Sequence, residues 1–179
     1  PVGVLINRVY PEGPSDRAGI KVGDVIISVD NRNVNDSESL RFRIITQPIG
    51  EKLDIWLIRR AIKQRVTFLV EAPPEEPLAD KAKVVGYNPL QGVLVGNLSP
   101  ALADQIGKSL FLRGVIILEI QQGSPAQRFG FQRYDIIKKL NNLKIKKVKQ
   151  LTSLLSKKLG EWVISIERGG SILSLAIKR

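Results

Sequence analysis

The sequence predicts a mainly β fold with short helices: two small, partly open β-barrels or sandwiches, each capped by helices. Three observations predict it. Residues 13–26 read GPSDRAGIKVGDVI and residues 124–137 read SPAQRFGFQRYDII, nearly the same phrase twice. Short apolar runs alternate with turns bearing Gly, Asn or Pro along the whole chain. No strand–helix–strand alternation of the doubly wound kind is visible, which argues against a parallel sheet flanked by helices.

The repetition holds element by element. Gly19 and Gly130 set an offset of 111 residues, which runs without a gap from Gly3 to Leu40. Gly3, Val4, Ile6, Pro14, Arg17, Gly19, Asp24, Ile26, Asn31 and Leu40 meet Gly114, Val115, Ile117, Pro125, Arg128, Gly130, Asp135, Ile137, Asn142 and Leu151. Turn residues and apolar positions are preserved together, so this is an internal duplication.

Taken in order, GVLINRV and GVIILEI read as short strands. Pro14 and Pro125 open one helical turn, and Gly19 and Gly130 close it just past the helix end. DVIISVD and DIIKKLN are second strands, and Asp30-Asn31 and Asn141-Asn142 turn the chain. A helix follows in each unit. In the first, Asn35 with Glu38 is the expected capping box, and Leu40, Ile44 and Ile45 form the apolar stripe. In the second, Leu151, Leu154 and Leu155 form it. Gly50 and Gly160 break these helices. LDIWLIRR with RVTFLV, and WVISIERGG with ILSLAIK, are predicted hairpins.

The second unit carries an opening that the first lacks. Upstream of Gly114 comes NPLQGVLVGNLSPALADQIGKSLFLR: a turn, a strand, and a helix opened by Ser99-Pro100 and closed by Gly107. By the same offset its counterpart in the first unit falls before Pro1. The N-terminal PVGVLINRV has no basic n-region and no cleavage site, so it is not a signal peptide. It reads as a chain starting inside a strand, a fragment of something longer. Between the copies lies EAPPEEPLADKAK, whose prolines remove donors and fix φ, so it reads as a semi-extended linker. The expected division is residues 1–72, a linker 73–85, and a complete second unit 86–179.

Composition narrows the chemistry. The 179 residues contain no histidine and no cysteine. That removes disulfides, the usual zinc ligand sets, cysteine nucleophiles and every His-dependent triad; no cofactor is expected. The formal charge of +11 is uneven: residues 86–179 hold 15 basic and 5 acidic side chains, against 11 and 9 in residues 1–72. No apolar run is long enough to span a bilayer.

The pattern of a strand, then (G/S)P-x-x-x-x-G-(I/F)-x-x-x-D-(V/I)-I, resembles the core of a PDZ domain. With PLQGVLV first and the groove helix late, the order resembles the circularly permuted PDZ form of bacterial proteases. Two such units in tandem look like the C-terminal half of a DegP/HtrA-type (Do-like) serine endoprotease. The second unit departs from the pattern at Arg133-Tyr134, where a turn glycine usually precedes the aspartate. The resemblance implies a separate protease domain with a Ser-His-Asp triad, which this histidine-free chain does not carry. It leaves this chain a non-catalytic role: capturing C-termini or exposed hydrophobic segments of misfolded proteins, and contacting other subunits of a homo-oligomer. The implied location is the periplasm or cell envelope. A PDZ pair from another envelope protease or a secretion component is the alternative within the family.

PDZ recognition adds an extended peptide to a sheet edge, with amide donors receiving its carboxylate. The candidate residues for this are Leu90, Gln91, Gly92, Val93, Leu94 and Val95, with Leu151, Leu154 and Leu155 as the opposite wall. Gly92 suits a loop that must turn its N–H groups toward an anion; the plainer reading is a turn residue. For Leu151 and Leu155 the plainer reading is core packing. In the first unit the corresponding loop and edge strand lie upstream of Pro1, so only the second unit is expected to bind with a complete groove. Asp24 and Asp135, paired across the repeats, read as turn residues holding backbone amides rather than as catalysts. Gly107-Lys108-Ser109 resembles the end of a phosphate loop, but Leu102 stands where its first glycine is required.

Lys138, Lys139, Lys144, Lys146, Lys147, Lys149, Lys157 and Lys158 form a basic cluster around the second groove helix. It reads as solvated surface, or as attraction for a peptide carboxylate, anionic lipid headgroups or nucleic acid. A basic adaptor for nucleic acid or a membrane surface is thus the alternative from a different class. Aromatics are only 6% and no nucleic-acid motif occurs, which argues against base stacking.

Overall fold

Four tight turns set the registers of the sheets. Asp30-Asn31, Arg60-Ala61, Asn141-Asn142 and Gly169-Gly170 all have both central residues at positive φ, the geometry whose twist matches a two-residue hairpin. Asn and Gly accept that backbone at little cost, whereas Arg60 and Ala61 adopt it under the pull of the hairpin they join. The structure, a computed structural model, describes residues 3–157 and 160–178. The chain divides into two compact units, Pro1–Pro73 and Pro74–Arg179.

The first unit runs β1 (Val4–Leu5), α1 (Pro14–Arg17), β2 (Val25–Val29), β3 (Arg32–Asn33), α2 (Ser37–Ile45), β4 (Lys52–Arg59) and β5 (Ile62–Leu69). Its open antiparallel sheet has the order β1-β2-β4-β5, with β3 pairing β2. The second unit adds β6 (Ala82–Lys83), β7 (Val93–Asn97) and α3 (Pro100–Gln105) before the repeated set. That set is β8 (Val115–Ile120), α4 (Pro125–Arg128), β9 (Ile136–Leu140), β10 (Leu143–Lys144), α5 (Val148–Leu155), β11 (Glu161–Arg168) and β12 (Ser171–Lys178). The order here is β12-β11-β9-β8-β7-β6, with β10 pairing β9. Both sheets remain open, so each unit is the partly open form that the sequence predicts.

Two local expectations change. The capping box of α2 lies one residue later than Asn35–Glu38: the Asp36 carboxylate accepts the Ser39 N–H at 2.7 Å and the Ser39 hydroxyl accepts the Asp36 N–H at 3.3 Å. Asp36 is the last residue with extended backbone, and that position defines the cap. The strand predicted over GVLINRV shrinks to Val4–Leu5. Its counterpart β8 has six residues because it lies between β7 and β9, whereas β1 pairs only with β2.

Each unit has its own core. Ile26, Val34, Leu53, Ile55 and Leu57 centre the first. In the second, one cluster gathers Leu90, Val93, Val95, Ile117, Ile137, Leu151, Leu155 and Ile164, and a smaller one joins α3 to the opposite sheet face through Leu98, Leu102, Ile116 and Ile136. α5 buries Val148, Leu151 and Leu155. In α2 no residue is fully buried; Leu40 and Ile44 are half-covered while Phe42 and Ile45 are each 66% exposed.

An ion pair is repeated at equivalent places. The Asp24 carboxylate is 1% exposed and accepts two hydrogen bonds from Arg59, from Nε at 2.7 Å and Nη2 at 2.6 Å. It also accepts the Lys21 N–H at 2.7 Å, and Arg59 Nη2 reaches the Gly19 carbonyl. Asp135 does the same with Arg168, at 2.6 Å through both nitrogens, and with the Gln132 N–H. Both aspartates therefore hold the turn before the second strand, as the sequence reading expects, with an arginine partner that the reading does not name. The Arg59 guanidinium, more than the Lys21 amide, holds the Asp24 carboxyl below the ordinary aspartate range, against the opposing effect of burial.

Candidate strand-accepting groove

The edge of β7 away from β8 is the place for an added strand, and α5 stands beside it. Asn97, at the end of β7, joins the two: its Oδ1 accepts the Val148 N–H at 2.7 Å. That amide belongs to the first turn of α5, whose N-cap residue Lys147 supplies no side-chain cap. Val93 and Val95 face the same buried cluster as Leu151 and Leu155, and Leu154 packs half-buried against it. Leu94 points to the opposite face, against the cluster of Leu98 and Leu102. Leu90 is fully buried and Gln91 is exposed. The predicted wall and edge are thus brought together, but through apolar side chains already packed against one another.

The amide donors expected to receive a carboxylate are engaged within the chain. The Leu90 N–H bonds to Asn88 Oδ1 at 3.0 Å and the Gln91 N–H to the Asn88 carbonyl at 3.1 Å. The Gly92 N–H donates to the Val84 carbonyl at 3.0 Å, and the Val93 N–H to the Leu90 carbonyl at 3.3 Å. Asn88 is 7% exposed and its Nδ2 donates to the Val85 carbonyl at 2.9 Å, so its amide pins the loop from inside. Gly92 has φ +91°, and a Cβ there would stand 2.4 Å from Ser124 Cβ. Glycine is therefore required both for the left-handed turn and for the approach of Ser124, the N-cap of α4.

The edge itself has an occupant. β6 runs antiparallel to β7, with Ala82 opposite Val95 and Lys83 opposite Leu94. The Val84 N–H donates to the Val93 carbonyl at 2.8 Å. Further back, the Asn97 N–H donates to the Ala79 carbonyl at 2.6 Å and Asn97 Nδ2 to the Leu78 carbonyl at 2.9 Å. Val84 is 3% exposed within the cluster of Val93, Val95, Leu151 and Leu155, and Ala82 packs against it. Burying such a side chain contributes about 2 kcal/mol. The stretch expected as a linker, 73–85, thus lies along the second unit for most of its length.

Ala82, Val84, Asn88 and Asn97 are the residues that sequence reasoning missed. The alternation Ala82-Lys83-Val84, apolar inward and charged outward, is a strand signal that the neighbouring prolines mask. For Asn97 no sequence signal exists.

The basic cluster is partly neutralised. Lys138 bonds Glu167 at 2.9 Å, while Lys139, Lys144, Lys146, Lys147, Lys149 and Lys157 are exposed; Lys158 lies outside the described residues. Among the described residues no group of three or more metal-ligating side chains occurs, and no helix is long and apolar enough to cross a membrane.

The PDZ domain model matches this chain twice, over residues 2–70 and 89–178. The chain belongs to the PDZ domain family. The second match begins at Pro89, so the segment seated on β7 lies outside both matched PDZ spans. The PDZ pair is 26% identical over 176 residues to the periplasmic serine endoprotease DegP of Escherichia coli strain K12, covering 98% of this chain and 34% of that protein. It is 32% identical over 161 residues to a probable periplasmic DegP-like serine endoprotease of Pseudomonas putida strain W619, covering 86% and 33%. The chain spans about a third of the length of these curated relatives. Among solved structures, the HtrA3 PDZ domain bound to a phage-derived ligand is 25% identical, with a TM-score of 0.42 over 49% of this chain and 80% of that one.

Proposed function

We propose that this PDZ pair is the peptide-capturing, regulatory part of a periplasmic DegP-type serine endoprotease. In this reading the second unit takes up extended segments or C-termini of unfolded polypeptides as an added strand on β7, beside α5. One observation carries the reading: a strand already lies there, antiparallel, with its main chain bonded to Gly92 and Val93 and its Val84 side chain in the cluster of Leu151 and Leu155. The edge therefore has the hydrogen-bonding register and the apolar pocket that strand addition needs. The catalytic triad would belong to the rest of the parent protein, since this chain has no histidine. Contacts with other subunits belong to the same reading, and the exposed Phe42, Ile45 and Ile49 of the first unit offer apolar surface for them.

The test is an NMR titration of the whole chain with the peptide EEPLADKAKV, which ends in a free valine carboxylate. Saturable shifts centred on residues 90–95 and 151–155, little changed by salt, are expected. Shifts gathered instead on Lys144–Lys149, with affinity falling steeply as salt rises, would replace this reading with an anionic-surface adaptor.

A further inference from the structure

We infer that the segment Ala79–Val84 is a resident ligand of the second unit, so that an incoming peptide binds only by displacing it. The inference rests on the groove assignment above and adds its regulation. Four observations carry it. The segment satisfies the Gly92 N–H and the Val93 carbonyl, the two main-chain groups at the mouth of the edge. Its alternate side chains, Ala82 and Val84, turn to the helix side, while Lys81 and Lys83 are exposed. It lies outside both spans that the family model matches. Its strand is two residues long and forms the outer edge of the sheet, paired on one side only, so it can open locally at little cost.

The occupant also sets the kind of ligand. Val84 offers a carbonyl oxygen to Gly92, and the chain runs on through Val85 and Gly86. The edge therefore accepts an internal segment with small or branched apolar residues at alternate positions, and a free carboxylate is not required. A tethered ligand competes at an effective concentration on the order of millimolar. Apparent affinity for any free peptide falls by the fraction of time the edge is open.

The experiment uses three forms of the whole chain and fluorescein-labelled EEPLADKAKV followed by anisotropy. Lys83 and Leu94 are cross-strand neighbours and the chain has no cysteine, so Lys83→Cys with Leu94→Cys forms a reversible lock. Ala82→Pro with Val84→Ser releases the segment. Expected results are no binding to the oxidised lock, binding by the same double variant once reduced, and at least tenfold tighter binding to the released form than to wild type. The lock keeps the strands paired, so it tests the inference even if the released form is poorly folded. Equal binding by the reduced and oxidised lock overturns the inference and leaves a peptide site elsewhere on the chain. Binding by none of the three forms overturns the groove assignment together with the inference.

Discussion

Asp24 and Asp135 are each 1% exposed, and each is held by an arginine through two hydrogen bonds. The Arg59 side chain keeps 23% of its exposure, so water compensates its charge when the pair is broken; Asp24→Asn should destabilise the first unit by about 1.5 kcal/mol through the weakened hydrogen bonds. The pH dependence follows from the direction of its shift. The folded-state pKa lies below the ordinary value of about 3.9, so the stabilisation is complete above that value. It is lost as pH falls through the lowered folded pKa. Urea midpoints measured from pH 7 down to pH 2 should therefore drop more steeply below about pH 4 in wild type than in Asp24→Asn. Equal slopes would show that the pair contributes nothing to acid sensitivity. The aspartate pair was legible as repeated turn residues, but Arg59 and Arg168 were not, since each reaches its partner from the far end of a different strand. Tyr134 shows the same limit. It takes a positive φ of 73° where the first unit has Gly23, and its ring lies 4.6 Å from the Arg133 guanidinium and 5.4 Å from Lys108 Nζ. Arg133 is its neighbour in sequence, but the Lys108 contact belongs to the folded chain and leaves no mark in the local sequence.

At the scale of elements, α5 and β7 are joined by a residue on neither helix face. Asn97 is 4% exposed; it caps the first turn of α5 and binds the carbonyls of Leu78 and Ala79 through its own amide groups. Asn97→Ala leaves the Val148 N–H buried without a partner, and should cost about 2 kcal/mol in the second unit. Amide hydrogen exchange should accelerate at Val148 and along residues 79–84, while β11 and β12 keep their protection. Uniform acceleration throughout the unit would assign Asn97 a merely global role. The helices themselves were readable from the apolar spacing of Leu151, Leu154 and Leu155, because period and burial agree in α5. In α2 they agree less well: Ile45 lies on the predicted stripe and is 66% exposed. Its equivalent at the end of α5, Ser156, is exposed too, because both stand at the helix's last turn beyond the buried face. Strand β6 went unread because the prolines upstream of it, Pro73, Pro74 and Pro77, signal a linker.

For the whole molecule, two compact units, each with its own hydrophobic core, predict two unfolding events. Calorimetry of the intact chain should resolve two transitions, and Asp24→Asn should lower only one of them. A single transition that the substitution moves as a whole would mean the units unfold as one. The order of residues was enough to establish the duplication, the mainly β architecture, the tight turns, the lack of a histidine-based catalyst, and the family to which the paired phrases belong. These follow from local rules: period, turn chemistry, and which functional groups are present at all. It also pointed to the stretch 90–95 and to Leu151, Leu154 and Leu155, which the fold sets side by side. What it did not contain is that Val84 packs against Leu151 and Leu155, that the amides of Leu90, Gln91 and Gly92 are bonded to Asn88 and Val84, and that Asn97 ties the pieces together. Those facts depend on which distant backbone groups meet once the sheet has closed, and a seated segment differs from a free linker only by the partners it finds.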